Sequence, residues 1–465
     1  MAVAFDASIA LLRGMCSASV VAVRRFARWL LALAVAVVAP SVLADDGAQS
    51  PKRALPDYDG LPRDDSDNAG VWIARAVLSP LYFTSEYLLR RPIGAAMVAA
   101  EHADLPRKVH DFFAFGFHHK LGFTPVGLVE FGFNPSIGIY GFWDDAIVTG
   151  NGLRLHYEGW PTDWLSGSIT DRYRIDAHRA IGVRVAALER PDNVFYGIGP
   201  SSLQTNESRY TKNAFDANAT FEQTPWRSSK FETTLGLRKV DLFHGHYGDD
   251  PSVEQSAANG VFALPPGFNR GYLEPYERAH VIVDTRASTT HGSGVRIESE
   301  DELGGDVEHG ASGGWIRYGI GASAIFDLND HGRLLAFSAA AQFADPMGGA
   351  TIPFTELVTL GGDKWMHGYF PGRLVDRSAV VAEVRYTWPI GVWFNGMMQA
   401  AVGDVFGAHL DDFKPGLLRL SASLGIAATT SDPPLELLIG FGTETFDHGT
   451  QVDSFRMALG VPVAF

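Results

Sequence analysis

The sequence predicts an all-β chain, a transmembrane antiparallel β-barrel of about 16 strands with a short N-terminal helical segment. Three observations predict it: an export-type N-terminus, short alternating runs repeated after about residue 125, and a final stretch that alternates to a terminal phenylalanine. In that stretch Phe455, Met457, Leu459, Val461, Val463 and Phe465 fall on one face of an extended strand, with Arg456, Ala458, Gly460, Pro462 and Ala464 between them. A strand alternates with period two when its faces meet different surroundings, so this stretch reads as a closing strand and a C-terminal barrel signal.

At the other end, Arg24, Arg25 and Arg28 precede an apolar run from Trp29 to Val38, and Val42-Leu43-Ala44 supplies small residues at a cleavage point. Residues 1–44 are therefore expected to be a secretory signal peptide. The single cysteine, Cys16, lies inside it, so a mature chain starting at Asp45 excludes disulfides, thiolate catalysis and cysteine metal sites. Removing four arginines and Asp6, a net +3, takes the formal charge from −15 to −18. That acidic balance argues against nucleic acid as a partner.

Residues 45–69, rich in Asp, Pro and Gly, read as a disordered tether. Residues 70–122 read as a helical periplasmic or interfacial segment broken at Pro80 and Pro92, with Trp72, Val77, Leu81, Leu88 and Met97 on its apolar side. Arg75, Glu86, Arg90 and Arg91 interrupt it, whereas a spanning helix needs about 20 predominantly apolar residues. A mature chain that spans a membrane is thereby left with a closed barrel, placed at residues 123–465.

Within that region Val129, Phe131 and Phe133 alternate with polar or small neighbours, as do Phe231 to Leu237, Leu335 to Ala341 and Leu418 to Ile426. The intervening positions are rich in Gly, Ala, Ser and Thr, which suits a lumen better than the outer face of a soluble sandwich. Two Gly- and Asp-rich inserts, around 244–271 and 299–314, are expected to be extracellular loops. Trp143, Trp160, Trp164, Trp226, Trp388 and Trp393 lie near strand ends and are expected in an aromatic girdle. Pro462 removes one donor near the end of the last strand and points to a weak seam with the first.

Residues 359–377 are unlike an ordinary porin loop. Glycines at four positions let the backbone fold back sharply, while Tyr369, Arg373 and Asp376 supply a ring, a cation and an anion. The next strand puts Val380, Ala382, Val384, Tyr386 and Trp388 toward lipid and leaves Glu383, Arg385 and Thr387 in the lumen. We therefore expect His367, Gly368, Tyr369, Gly372, Arg373 and Asp376 to form a luminal loop latch, with Glu383 and Arg385 as its barrel-wall partners.

Leu360-Gly361-Gly362, Gly368-Tyr369, Gly372-Arg373, Asp376, Glu383, Arg385 and Pro389, together with Asn193 to Gly199, Asp284-Thr285-Arg286 and Phe465, resemble the bacterial surface antigen family. This is the barrel superfamily of BamA and TamA. Two departures stand out: His367 replaces the loop-tip arginine, and residues 45–125 lack the strand pattern of POTRA repeats, so the resemblance is to a POTRA-less branch. It implies location in the bacterial outer membrane and a part in protein or lipid insertion or translocation there. The implied partners are outer-membrane lipids, the barrel-assembly machinery during biogenesis, and client outer-membrane proteins or lipids. A passive channel or surface-exposed structural barrel is the alternative.

No enzymatic constellation emerges. Glu383, Arg385, Arg373 and Asp376 read as structural luminal charges. His244, His246, Asp249 and Asp250 offer metal-ligand types, but their loop setting favours solvated residues. No catalytic residue, cofactor or metal is expected.

Overall fold

The computed structural model describes residues 108, 112–160, 163–309, 313–328, 332–390, 394–428 and 435–460. The expected signal peptide at 1–44, the tether at 45–69 and residues 70–107 and 109–111 of the expected helical segment lie outside the described residues, as do Trp393, Val461, Pro462, Val463 and Phe465; the described end of that segment is extended at Ala114–Phe115 and from Leu121 onward.

Sixteen strands form the wall: β1 (Leu121–Glu130), β2 (Ser136–Asp144), β3 (Asn151–Gly159), β4 (Leu165–Arg174), β5 (Arg179–Phe195), β6 (Ser208–Gln223), β7 (Lys230–His244), β8 (Tyr272–Asp284), β9 (Gly294–Gly304), β10 (Trp315–Asp327), β11 (Leu334–Pro346), β12 (Ser378–Pro389), β13 (Phe394–Phe406), β14 (Arg419–Ala428), β15 (Glu436–Thr443) and β16 (Val452–Gly460). Each pairs antiparallel with the next, and β16 returns to β1, so the sheet closes on itself. Among the described residues no helix is long and apolar enough to cross a membrane.

The alternation sorts side chains as two different solvents require. Ile139, Leu155, Ile169, Val183, Leu235, Ile320, Phe337 and Leu424 are exposed on the outer wall. So broad an apolar belt exceeds what soluble monomers leave in water. On β16, Phe455 is 48% exposed while its neighbour Arg456 is 2% exposed and turns inward.

Turns at one end are short, as at 145–150 and 175–178, whereas the other end carries the long connections 245–271 and 347–377. The first of these holds α1 (Val253–Ala258), started by a reciprocal cap between Ser252 and Gln255. The second folds into the barrel. Its Ile352, Phe354, Leu357, Leu360, Met366, Tyr369 and Leu374 join Phe195, Val240, Tyr272, Trp315, Val381 and Val405 of the wall in one apolar core. This core lies inside the ring, between β5 and β13.

Three local expectations are corrected. Residues 299–304 belong to β9 and not to a loop. Their acidic texture is that of a luminal face, where Lys364 binds Glu300 and Arg278 binds Glu302. Trp164 is 2% exposed and lies under the Arg190 guanidinium, whereas Trp143, Trp160 and Trp226 are exposed near strand ends. Phe133 lies past the end of β1 and packs edge-on against Phe370, with ring centroids 5.0 Å apart.

Candidate functional site

The inward connection is built on a small hairpin in which Val358, Thr359 and Leu360 pair with Asp376, Val375 and Leu374. At Gly361 the chain turns with φ +107°, and a Cβ there would lie 2.4 Å from Phe370 O, so both the conformation and the space demand glycine. The tip then lies flat against β15. A Cβ on Gly442 would stand 2.4 Å from the Tyr369 ring, and one on Gly368 would stand 2.1 Å from Phe441 O.

Polar contacts hold the tip along the wall. Gly368 N donates to Ser421 Oγ at 2.9 Å, and Ser454 Oγ donates to Gly368 O at 2.8 Å. The Tyr369 hydroxyl lies 2.6 Å from Thr443 O, which it donates to, and accepts from Thr443 N at 2.7 Å. His367 N donates to Gln399 Oε1 at 3.3 Å, and its Nε2–H donates to Asp363 O at 2.9 Å. Burial and the nearby Arg385 and Arg456 cations push the His367 imidazole down to about 4. It is therefore neutral across the range where an unperturbed histidine titrates.

Arg373, fully buried, faces a different wall from the one anticipated. Its Nε donates to Gln204 Oε1 at 3.0 Å, its Nη1 to Ser202 Oγ at 2.8 Å and its Nη2 to Ser202 O at 3.1 Å, and the guanidinium sits 4.5 Å over the Tyr196 ring. Arg419 Nη2 donates to the same Ser202 carbonyl at 2.9 Å and pairs through Nη1 with Asp404. Asp376 Oδ1 accepts from Arg377 N at 2.7 Å. Glu383 and Arg385, two residues apart on one strand face, form an ion pair at 2.8 Å, and Gln399 Nε2 donates to Glu383 at 2.5 Å. The anticipated exchange between Arg373 or Asp376 and Glu383 or Arg385 is thus replaced by two separate sets. Wall neighbours pair locally, and the hairpin stem docks on the β5–β6 connection.

Sequence reasoning missed the residue that joins the loop to the seam. Arg456 of β16 donates through Nε to Glu130 Oε1 of β1 at 2.5 Å, through Nη1 to Gly362 O at 2.9 Å and through Nη2 to Asp363 Oδ1 at 2.7 Å. Arg456 and Glu130 are both buried. One guanidinium therefore ties the last strand, the first strand and the luminal loop together. The available signal was an arginine isolated on the luminal face of the closing strand, a position that demands a partner. Among the described residues, backbone pairing at this seam runs through Ala458↔Glu130, Leu459↔Val129 and Gly460↔Leu128, Gly460 being the last described residue of β16.

The metal-ligand possibilities do not hold. Glu274, Glu302 and Glu356 bring carboxylate oxygens within 4.8 Å of one another. Arg238 Nη1 sits among them at 3.1, 3.3 and 3.1 Å, so a guanidinium occupies the place a cation would take. This group clamps the base of the inward connection, which carries Glu356, to the wall. In the β7–β8 connection the residues diverge: His246 pairs with Asp163 at 2.8 Å and Asp250 with Arg209 at 2.8 Å, while His244 stands 4.0 Å from Glu254.

No family model matches the chain, and no curated protein matches it. Among solved structures it is similar to BamA from Haemophilus ducreyi lacking POTRA domains 1-3, with 14% identity, a TM-score of 0.49, and coverage of 73% of this chain and 70% of that one. CdiB from Acinetobacter baumannii matches with 12% identity, a TM-score of 0.45 and coverage of 73% and 59%. CdiB from Escherichia coli matches with 12% identity, a TM-score of 0.45 and coverage of 72% and 62%. The chain thus spans less than two thirds of either CdiB chain. Likenesses at this level bear on neither activity nor partners.

Proposed function

We propose that the protein is an outer-membrane barrel of the BamA/TamA type that inserts or translocates protein or lipid at the bacterial outer membrane by parting between β1 and β16. The observation that carries this reading is the junction at Arg456, where one buried guanidinium joins the closing strand to Glu130 of the first strand and to the luminal loop, so that loop and seam form one unit. A wall that parts at one ladder offers strand edges to an incoming chain, as insertion requires. The alternative, a passive channel, calls for a water-filled lumen. The apolar core that the inward connection builds between β5 and β13 opposes it.

On this reading the long connections face outward from the cell and the apolar belt meets outer-membrane lipids. The barrel-assembly machinery acts during the protein's own biogenesis, and client outer-membrane proteins or lipids are handled at the seam without an enzymatic step. The test is a disulfide across the seam, Val129→Cys with Leu459→Cys, which stand directly opposite each other. Oxidation should stop the purified protein from inserting a client barrel into lipid vesicles, and a reductant should restore it. Insertion at an unchanged rate with the disulfide closed refutes the reading. Depletion that leaves the profile of other outer-membrane barrels unchanged favours the passive alternative.

A further inference from the structure

The segment leading into the barrel makes a contact that insertion does not by itself require. Ala114 and Phe115 pair antiparallel with β1, through Ala114↔Gly122 and Phe115↔Leu121. At those same two positions β1 is bonded on its other side to β2, through Leu121↔Trp143 and Gly122↔Phe142. A strand has two hydrogen-bonding edges, so the lead-in occupies the seam edge, the one that β16 takes at Leu128, Val129 and Glu130. Side chains reinforce the contact. Phe123 stacks on Phe115 with ring centroids 5.6 Å apart and meets Phe113 edge-on at 5.8 Å. At Gly122 a Cβ would lie 2.6 Å from Phe113 O, so the missing side chain makes room for the lead-in backbone.

We propose that Ala114–Phe115 is a built-in strand cap on the seam edge of β1, holding at Leu121–Phe123 the site where an incoming extended apolar strand pairs. An edge with bare donors and acceptors is a template for any strand that reaches it, and in lipid it is also costly to leave unpaired. A cap of two residue pairs shields the edge and is far easier to displace than a full ladder. The proposal rests on the insertion reading only in naming the incoming strand as a client.

The test uses the full chain in detergent micelles, with Cys16→Ser, and a photo-crosslinkable peptide of the sequence of residues 112–119 as the probe. Ala114→Pro, which removes a donor and disfavours the pairing, should raise crosslinking of the peptide to β1 by about tenfold. Phe115→Cys with Leu121→Cys, oxidised, should abolish capture, and reductant should restore it. Capture by the oxidised protein equal to that of the reduced protein, or no gain with Ala114→Pro, overturns the cap. Client insertion into vesicles is scored separately. Insertion lost with the lock and regained on reduction supports both ideas, whereas normal peptide capture without insertion in any variant supports the cap and sinks the insertion reading.

Discussion

Replacing Arg456 tests whether the loop and the seam are one device. In Arg456→Met the apolar stem is kept, but Glu130 is left buried without its partner, and Gly362 O and the Asp363 carboxylate lose a donor. Breaking a buried ion pair from one side costs about 3–5 kcal/mol. The three described residue pairs beside this ion pair, at about 1 kcal/mol per net hydrogen bond, are worth no more than that. The substitution is therefore large enough to loosen the seam at residues 128–131. Taking about 3 kcal/mol for the seam's share, amide exchange at residues 128–131 should accelerate roughly a hundredfold, while exchange in the β6–β7 ladder stays as it was. Glu130→Leu combined with Arg456→Met removes both charges, and a buried pair replaced by apolar side chains is often neutral, so the double variant should recover much of the protection. Hydrogen exchange read by mass spectrometry in micelles measures both. Unchanged protection at residues 128–131 in Arg456→Met, or a double variant as labile as the single one, refutes the claim that this ion pair closes the seam.

Two further outcomes follow from the docked tip. Gly442→Val puts a side chain where the Tyr369 ring lies, since the Cβ alone would stand 2.4 Å from it, and overpacking of this kind costs about 1–3 kcal/mol. The tip should lift and trypsin should cleave after Lys364, whereas the Gly167→Ala control, with its nearest neighbour 3.7 Å away, should resist as wild type does. His367 gives a pH signature of defined sign. Its imidazole is held down to about 4 from 6.5, so between those values the unfolded chain binds the extra proton and stability rises with pH. The contribution, about 3 kcal/mol, is complete above about 6.5 and lost progressively as pH falls toward 4. In His367→Gln, protease resistance of the loop should lose this dependence in that window. A variant that keeps the wild-type profile would place the titration elsewhere.

The wall of this protein was legible in the sequence because lipid and lumen impose opposite demands on successive residues, and β16 writes that demand as Phe455 outside and Arg456 inside. The same rule misled at residues 299–304, where charges that belong to a luminal strand face imitate the composition of a loop. Partners are a different matter. Glu130 and Arg456 lie 326 positions apart, and Arg373 reaches Ser202 over 171, distances at which no local period carries information. Circular closure makes the first and last strands neighbours, and an inserted connection brings the middle of the chain against both. A buried arginine on the closing strand announces that a partner exists, but its identity depends on the register with which the ring closes and on where the loop tip comes to rest. Arg373 illustrates the consequence. Two carboxylates were nearer in sequence, yet Glu383 was already bound to Arg385 on its own strand face, so the buried guanidinium took the carbonyl, hydroxyl and amide that the β5–β6 connection presents. Complementary charge decides which groups must be satisfied, and topology decides which of the available groups do it.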